Sequence, residues 1–260
     1  MQTKPVSITI FQKKTPSLKK EKDKVVVEKP LEIFINGKKF FLCLCLPTKK
    51  KELAIGLAFC ENLISTKTDI KKIEIRKNKL YLQTTKTLKK ENQEKYITSS
   101  SGSRDSSLDD FFPLKKNKCK KINSTDKISS ASIFKIQKDF FSKQKIFPKT
   151  GGTHAAAIYN LQGKNLAFAE DVGRHNALDK CLGQVILKDK KGKALLVMLS
   201  SRLSFEMISK TAKLGAEIVL GVSAPTSLAL QVAKQNQISL IGFLRESRFN
   251  IYSYPERIKI

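Results

Sequence analysis

Leu31, Ile33 and Ile35 alternate with Glu32 and Phe34, and Lys38 to Leu46 runs on in the same extended manner. Between them stands Asn36-Gly37, the dipeptide favoured in a type I′ turn, so the pattern predicts a hairpin. Pro47 stops the second strand. Thr48 is placed to cap a helix from Lys49 to Ile64, whose Leu53, Leu57, Leu63 and Ile64 follow helical spacing. A further strand pair, Ile70–Arg76 and Leu80–Gln83, completes a small α+β unit over residues 25–85, preceded by a basic tail at 1–24. Over residues 86–130 periodicity is lost in a polar stretch, and a loop of that length is usually functional or disordered.

An amphipathic helix is expected from Ser132 to Lys143, carrying Ile133, Phe134, Phe140 and Phe141. Strands then alternate with helices: strands Ala155–Tyr159 and Leu166–Ala169, helix Arg174–Leu187, strand Ala194–Leu199, helix Phe205–Leu214, strand Glu217–Val222, helix Ser227–Gln235 and strand Ile238–Phe243. Such a series implies an α/β domain over residues 131–260 with mostly parallel strands and right-handed crossovers. Ligands of such sheets bind beyond the carboxyl ends of the strands.

Composition narrows the class. The 260 residues are 40% apolar, enough for a sizeable core, and no apolar run approaches the roughly 18–20 residues of a membrane helix. Residues 1–24 hold no secretory h-region, so the cytoplasm is the expected compartment. Five cysteines (Cys43, Cys45, Cys60, Cys119, Cys181) without a C-x-x-C pair argue against a disulfide scaffold or a structural zinc, and Cys43 and Cys45 are expected to be buried. The net charge of +27 raises nucleic-acid binding, but it comes from 43 lysines and only 7 arginines, spread thinly. Base reading and stacking would want arginines and aromatics among them, so a basic nucleic-acid-binding protein is the weaker alternative.

Chemistry is expected after residue 150, where nine of the twelve glycines lie. Three loops leave consecutive parallel strands: Ser200-Ser201-Arg202, Ser223-Ala-Pro-Thr226, and Leu244-Arg245-Glu246-Ser247-Arg248. The first two enter helix N-termini, where free N–H groups and the dipole favour an anion, and arginine adds a bidentate fork. Ser204 and Thr226 also suit ordinary helix caps. Thr150-Gly-Gly-Thr153-His154 and Glu170-Asp-Val-Gly-Arg174-His175-Asn176 place both histidines beside glycine turns. His175 and Asp179, four apart on one helix face, are an acid/base pair or a plain helix-surface contact.

These segments, with Ser204-Phe-Glu206, Ser223-Ala-Pro-Thr-Ser227 and Gly242-Phe243-Leu244-Arg245, closely resemble the FdhD family of formate dehydrogenase accessory proteins. The resemblance implies a cytoplasmic, dimeric sulfur carrier. It would take persulfide sulfur from a cysteine desulfurase and pass it to the molybdenum cofactor of formate dehydrogenase. It also implies a cytidine-deaminase-like α/β domain that binds molybdenum bis(molybdopterin guanine dinucleotide) as cargo. The family's binding stretch corresponds to Phe243 through Arg248, and Arg202, Ser223, Thr226, Thr153, His154, Arg174 and His175 are the other candidate cofactor contacts. No metal site is expected, because the H-x-E and P-C-x-x-C zinc pattern of deaminases is absent.

One departure bears on chemistry. Where the family has S-S-C-G-x-C-G, this chain reads Ser99-Ser-Ser101-Gly-Ser-Arg104-Asp105. Ser101 and Arg104 stand in the places of the two cysteines, and a hydroxyl cannot form the persulfide. Cys119 is the nearest substitute thiol. Two functions therefore stand: a sulfur carrier using an unconventional thiol, and a cofactor-binding chaperone or scaffold that moves no sulfur.

Overall fold

The computed structural model describes residues 1–13, 17–86, 95–97, 126–189 and 195–259. It corrects the expected basic tail at residues 1–24. Strands β1 (Thr3–Gln12) and β2 (Ser17–Val26) form an antiparallel ribbon with Thr3 opposite Val26 and Gln12 opposite Ser17. The period-two pattern is carried by Val6, Ile8 and Ile10 on β1. The charged sequence of β2 masks it.

The N-terminal sheet is built from β3 (Lys29–Ile35), β4 (Lys38–Cys45), β5 (Ile70–Arg76), β6 (Lys79–Thr84) and β7 (Lys95–Ile97), in the order β5-β6-β3-β4-β7. The β3–β4 turn is as expected: Asn36 and Gly37 have φ of 48° and 84°, both in the left-handed region a type I′ turn requires. Helix α1 (Lys50–Cys60) is shorter than the predicted 49–64. Lys49 and Asn62, at φ 50° and 61°, bound it, while Leu63 and Ile64 are buried beyond its end and so extend the apolar pattern past the helix.

The C-terminal half contains β8 (Ile128–Ser129), α2 (Ser130–Lys143), the single turn α3 (Phe147–Thr150), β9 (His154–Asn160), β10 (Asn165–Asp171), α4 (Arg174–Leu187) and β11 (Leu195–Leu199). It continues with α5 (Phe205–Leu214), β12 (Ala216–Gly221), α6 (Ser227–Gln235), β13 (Ser239–Gly242), β14 (Asn250–Ile251) and β15 (Ile258–Lys259). Six strands make one mixed sheet, β10-β9-β11-β12-β13-β14. The parallel pairing expected for the whole series holds at its centre, β11–β12–β13, and is replaced by antiparallel pairs at both flanks. The connection from β9 to β10 is a tight turn with Gly163 at φ 80°, far too short for a crossover.

Both faces of this sheet are buried. Ile158, Val197, Val219 and Leu240 join one core with α1, α4 and the N-terminal sheet, while Tyr159, Met198, Leu220 and Ile241 pack with Ile133, Ile136 and Phe140 of α2. Helices α1 and α4 cross at two glycines: a Cβ on Gly56 would stand 1.9 Å from Asp179 O, and one on Gly183 1.9 Å from Glu52 O. Beside this crossing lies a fully buried ion pair, Asp171 Oδ2 to Lys180 Nζ at 2.5 Å, which fastens β10 and α4 to the end of β4. The small unit and the larger domain thus share a core. Among the described residues no helix is long and apolar enough to cross a membrane.

Candidate functional site

The three loops beyond β11, β12 and β13 form one interlocked crest. Leu203 N–H donates to Ala224 O at 3.0 Å and Thr226 N–H to Leu203 O at 3.0 Å. Phe243 N–H reaches Ser223 O at 3.3 Å, and Leu244 N–H reaches Gly221 O at 3.1 Å. Leu203 lies so close to Gly221 that a Cβ there would stand 2.6 Å from its side chain, which explains the glycine. The 243–248 segment is a compact turn: Phe243 has φ 49°, Arg245 N–H bonds Arg248 O at 2.8 Å, and Leu244 is buried with its carbonyl accepting from Gln137 Nε2 at 3.3 Å. Arg245 Nη1 is committed to Val222 O at 2.6 Å and Leu244 O at 3.2 Å, so this arginine braces two loops together. Phe243, Glu246, Ser247, Arg248 and Arg202 are exposed on the crest. Thr226 Oγ1 accepts from Ala229 N–H at 3.3 Å as a helix cap, whereas Ser204, also suited to capping, makes no cap bond and its buried Oγ has no partner among the described residues.

Beside the crest opens a cavity of about 590 Å³. Phe141, Gln144 and Phe147 line one side, and Thr153, His154, Ser200 and Val222 another. Val222 belongs to the loop that Arg245 braces, so cavity and crest are continuous. Ser200 Oγ accepts from Ala155 N–H at 2.9 Å and lies 3.4 Å from His154 Nδ1. Burial, then the charges of Arg174 and His175, hold the His154 ring below the ordinary histidine value, so it is largely neutral at pH 7. Thr153 Oγ1 donates to Glu170 Oε1 at 3.1 Å, and the same carboxylate collects the N–H groups of Lys145, Ile146 and Phe147, fixing the cavity wall. Gln144 is only 8% exposed, yet its Nε2 has no hydrogen-bond partner among the described residues. An unpaired buried amide at a cavity wall costs about 1–3 kcal/mol unless something in the cavity satisfies it.

His175 and Asp179 do not pair. His175 Nε2 stands 2.7 Å from Glu206 Oε2 at the start of α5, while Asp179 takes Lys210 Nζ at 2.7 and 2.6 Å. Both residues lie on the buried surface of α4, where packed helices supply nearer charged partners than the helix does for itself. The Glu206 carboxyl is held below its ordinary range chiefly by His175. Arg174 is half-buried beside them, at the N-terminus of α4. The sequence patterns did not mark Gln144, Phe147 or Glu206 as site residues. Phe141 had a signal: two adjacent phenylalanines cannot both face a helix's core, and Phe140 is buried while Phe141 is exposed.

The described thiols are poor nucleophiles. Burial raises Cys181 to about 12 and pushes Cys60 well above the usual thiol value, the latter with help from the Asp179 carboxylate. Cys43 is raised through its contact with Cys45, which is lowered by the same contact; both are buried, at 1% exposure, as the strand pattern predicted. Ser101, Arg104 and Cys119 lie outside the described residues, as does most of the predicted polar loop.

With this geometry in hand, comparison with known proteins is direct. Residues 26–259 match the FdhD/NarQ family. The chain is 35% identical over 263 residues to the sulfur carrier protein FdhD of Sulfurisphaera tokodaii, covering 99% of this chain and all of the relative. It is 34% identical over 246 residues to that of Bacillus subtilis, covering 93% of each. A crystal structure described as a formate dehydrogenase accessory protein, from Desulfotalea psychrophila, shares the fold over the full length of both chains, with a TM-score of 0.80 and 21% identity. The mixed α/β fold is therefore shared with that structure. The chain belongs to the FdhD/NarQ family.

Proposed function

We propose that this protein is a formate dehydrogenase accessory protein that holds molybdenum bis(molybdopterin guanine dinucleotide) as cargo on the crest and in the adjoining cavity. The observation that carries this reading is the union of the two features. The crest offers Arg202, Arg248 and helix N-termini to phosphates, and the cavity offers flat apolar walls and an unpaired amide to a planar ring with polar edges. Phe243 and Phe147 expose rings at either part. Leu244 and Arg245 set the backbone of the 243–248 turn, while Thr153 and His154 wall the cavity. A cytoplasmic homodimer working with a cysteine desulfurase and a formate dehydrogenase fits this role.

Guanosine diphosphate is the accessible probe. It is expected to bind saturably, and Arg248→Ala is expected to weaken it about tenfold, the loss of one charge-assisted contact. An unchanged affinity in that variant, or no saturable binding to the wild type, rejects the reading.

The names of the relatives favour a second reading, in which the chain also carries sulfur. Ser101 cannot do so, and the described thiols are buried or protonated, which leaves Cys119. There the thiolate would attack the desulfurase persulfide, take its outer sulfur and release the desulfurase thiolate. Incubation with a desulfurase and labelled cysteine, followed by mass spectrometry of each thiol, decides it: label on Cys119 supports carriage, and no label on any cysteine excludes it.

A further inference from the structure

The β1–β2 ribbon has two faces, and its charges are sorted between them. Residues directly opposite one another in an antiparallel pair share a face. One face holds Val6, Ile8 and Ile10 opposite Asp23, Glu21 and Lys19. Both acids of the ribbon lie there, Glu21 pairs with Lys19 Nζ at 2.7 Å, and Lys4 on the same face completes a neutral balance. The other face holds Ser7, Thr9 and Phe11 opposite Lys22, Lys20 and Leu18, with Pro5 opposite Lys24. It carries three lysines and no acid.

Strand pairing thus draws lysines that are spread thinly along the sequence into one row. Lys20, Lys22 and Lys24 are exposed and stand two residues apart, so neighbours are separated by about 6.7 Å and the row by about 13 Å from end to end. Over that length one strand of a duplex presents about four phosphates. Ser7 and Thr9 add exposed hydroxyl donors beside the row. The ribbon is seated at its root, where Val27 N–H donates to Gln2 O at 2.8 Å and a Cβ on Gly152 would stand 2.8 Å from the Val26 side chain. A two-stranded ribbon also has the width that the major groove of B-form DNA admits.

We propose that the lysine face of the ribbon is a docking surface for duplex DNA, which it holds by the phosphates and not by the base sequence. The regular step of the charges matches a polymer of evenly spaced anions better than an acidic protein surface. The face has no Arg, Asn or Gln to grip a base edge with two hydrogen bonds, and its lysines act as point charges. A net charge of +27 brings a polyanion towards the chain from a distance, and the row gives it a place to lie. Phe11 and Leu18, 65% and 74% exposed, form an apolar pair at the far end of the same face. A lipid surface fits that pair less well, because the segment joining the strands begins Lys13-Lys14, and those charges would have to enter the apolar layer ahead of the rings. The surface is separate from the crest and from the cargo proposed there.

Fluorescence anisotropy of short labelled duplexes, titrated with the full chain over a range of salt concentrations, tests it. Two duplexes of unrelated sequence are expected to bind alike. Each lysine withdrawn from the phosphates lowers the slope of log affinity against log salt by about 0.9, so Lys20→Gln, Lys22→Gln and Lys24→Gln together are expected to lower it by about 2.7. Lys71→Gln, Lys135→Gln and Lys138→Gln together remove the same charge from exposed positions on β5 and α2 and are expected to leave the slope unchanged, with circular dichroism confirming that both variants fold. No saturable binding at low salt, an equal change of slope in both triple variants, or affinities about tenfold apart for the two sequences overturns the proposal. So does tighter binding to anionic phospholipid vesicles than to DNA that is lost in Phe11→Ser with Leu18→Ser, which would make the ribbon a lipid-binding arm.

Discussion

Asp171 is fully buried and takes four donors: Leu46 N–H at 3.1 Å, Gly173 N–H at 3.1 Å, Asn176 Nδ2 at 3.0 Å and Lys180 Nζ at 2.5 Å. Lys180 in turn donates to Leu46 O at 2.9 Å. Every charge is matched, so the cost of burial is offset only while both partners remain. Asp171→Asn keeps the shape and removes the countercharge, leaving an ammonium at 0% exposure. It is expected to destabilise the fold by about 3–5 kcal/mol, read from chemical denaturation. A loss below about 1 kcal/mol, the level of a surface pair, would show that the pair is not sealed from water. The sequence marks Glu170 to Asn176 as a motif and Arg174 and His175 as candidate cofactor contacts, and gives Asp171, Asn176 and Lys180 no role of their own. Asp171, Asn176 and Lys180 instead join the two sheets, because β4 brings the Leu44 and Leu46 carbonyls to them from far along the chain.

At the level of elements, the α1–α4 crossing depends on Gly56 and Gly183. Alanine at Gly183 gains up to about 1 kcal/mol of helix propensity. Its Cβ, however, would meet backbone of α1 at 1.9 Å, and backbone cannot swing aside as a side chain can. The clash wins, and Gly183→Ala is expected to lower stability by about 1–3 kcal/mol and to reduce the melting temperature. A neutral or stabilising effect would mean that the helices separate freely. The elements themselves were largely legible: the Asn36-Gly37 hairpin, α2 to within two residues at its start, and the α4-to-β13 alternation all follow from local periodicity and turn chemistry. What was not legible depends on pairing partners. β9 and β10 read as members of a parallel series because buried strands look alike in either direction, and β14, with two residues, carries no pattern. The three loops read from sequence as anion-ready, yet Arg245 bonds carbonyls of its own fold. Gln144 gave no signal, since an amide at a helix end reads as surface.

Across the whole molecule, function rests on what converges at one edge of the six-stranded sheet. Lysines supply most of a strongly positive charge that favours an anionic cargo at long range, and in the proposed reading arginines, a neutral histidine and an amide unpaired among the described residues would supply local recognition. Of the described thiols, Cys43, Cys45 and Cys181 lie in the interior and Cys60 is half-buried. The central claim is that crest and cavity together hold the guanine dinucleotide cofactor. It is tested most directly by expressing the protein in cells that make this cofactor, purifying it, and quantifying the guanosine monophosphate and pterin released on denaturation. The wild type is expected to release both in proportion to protein, Arg248→Ala to release far less of both, and Gln144→Leu to lose them. A wild type that carries neither, or crest and cavity variants that load as well as it does, would contradict the account.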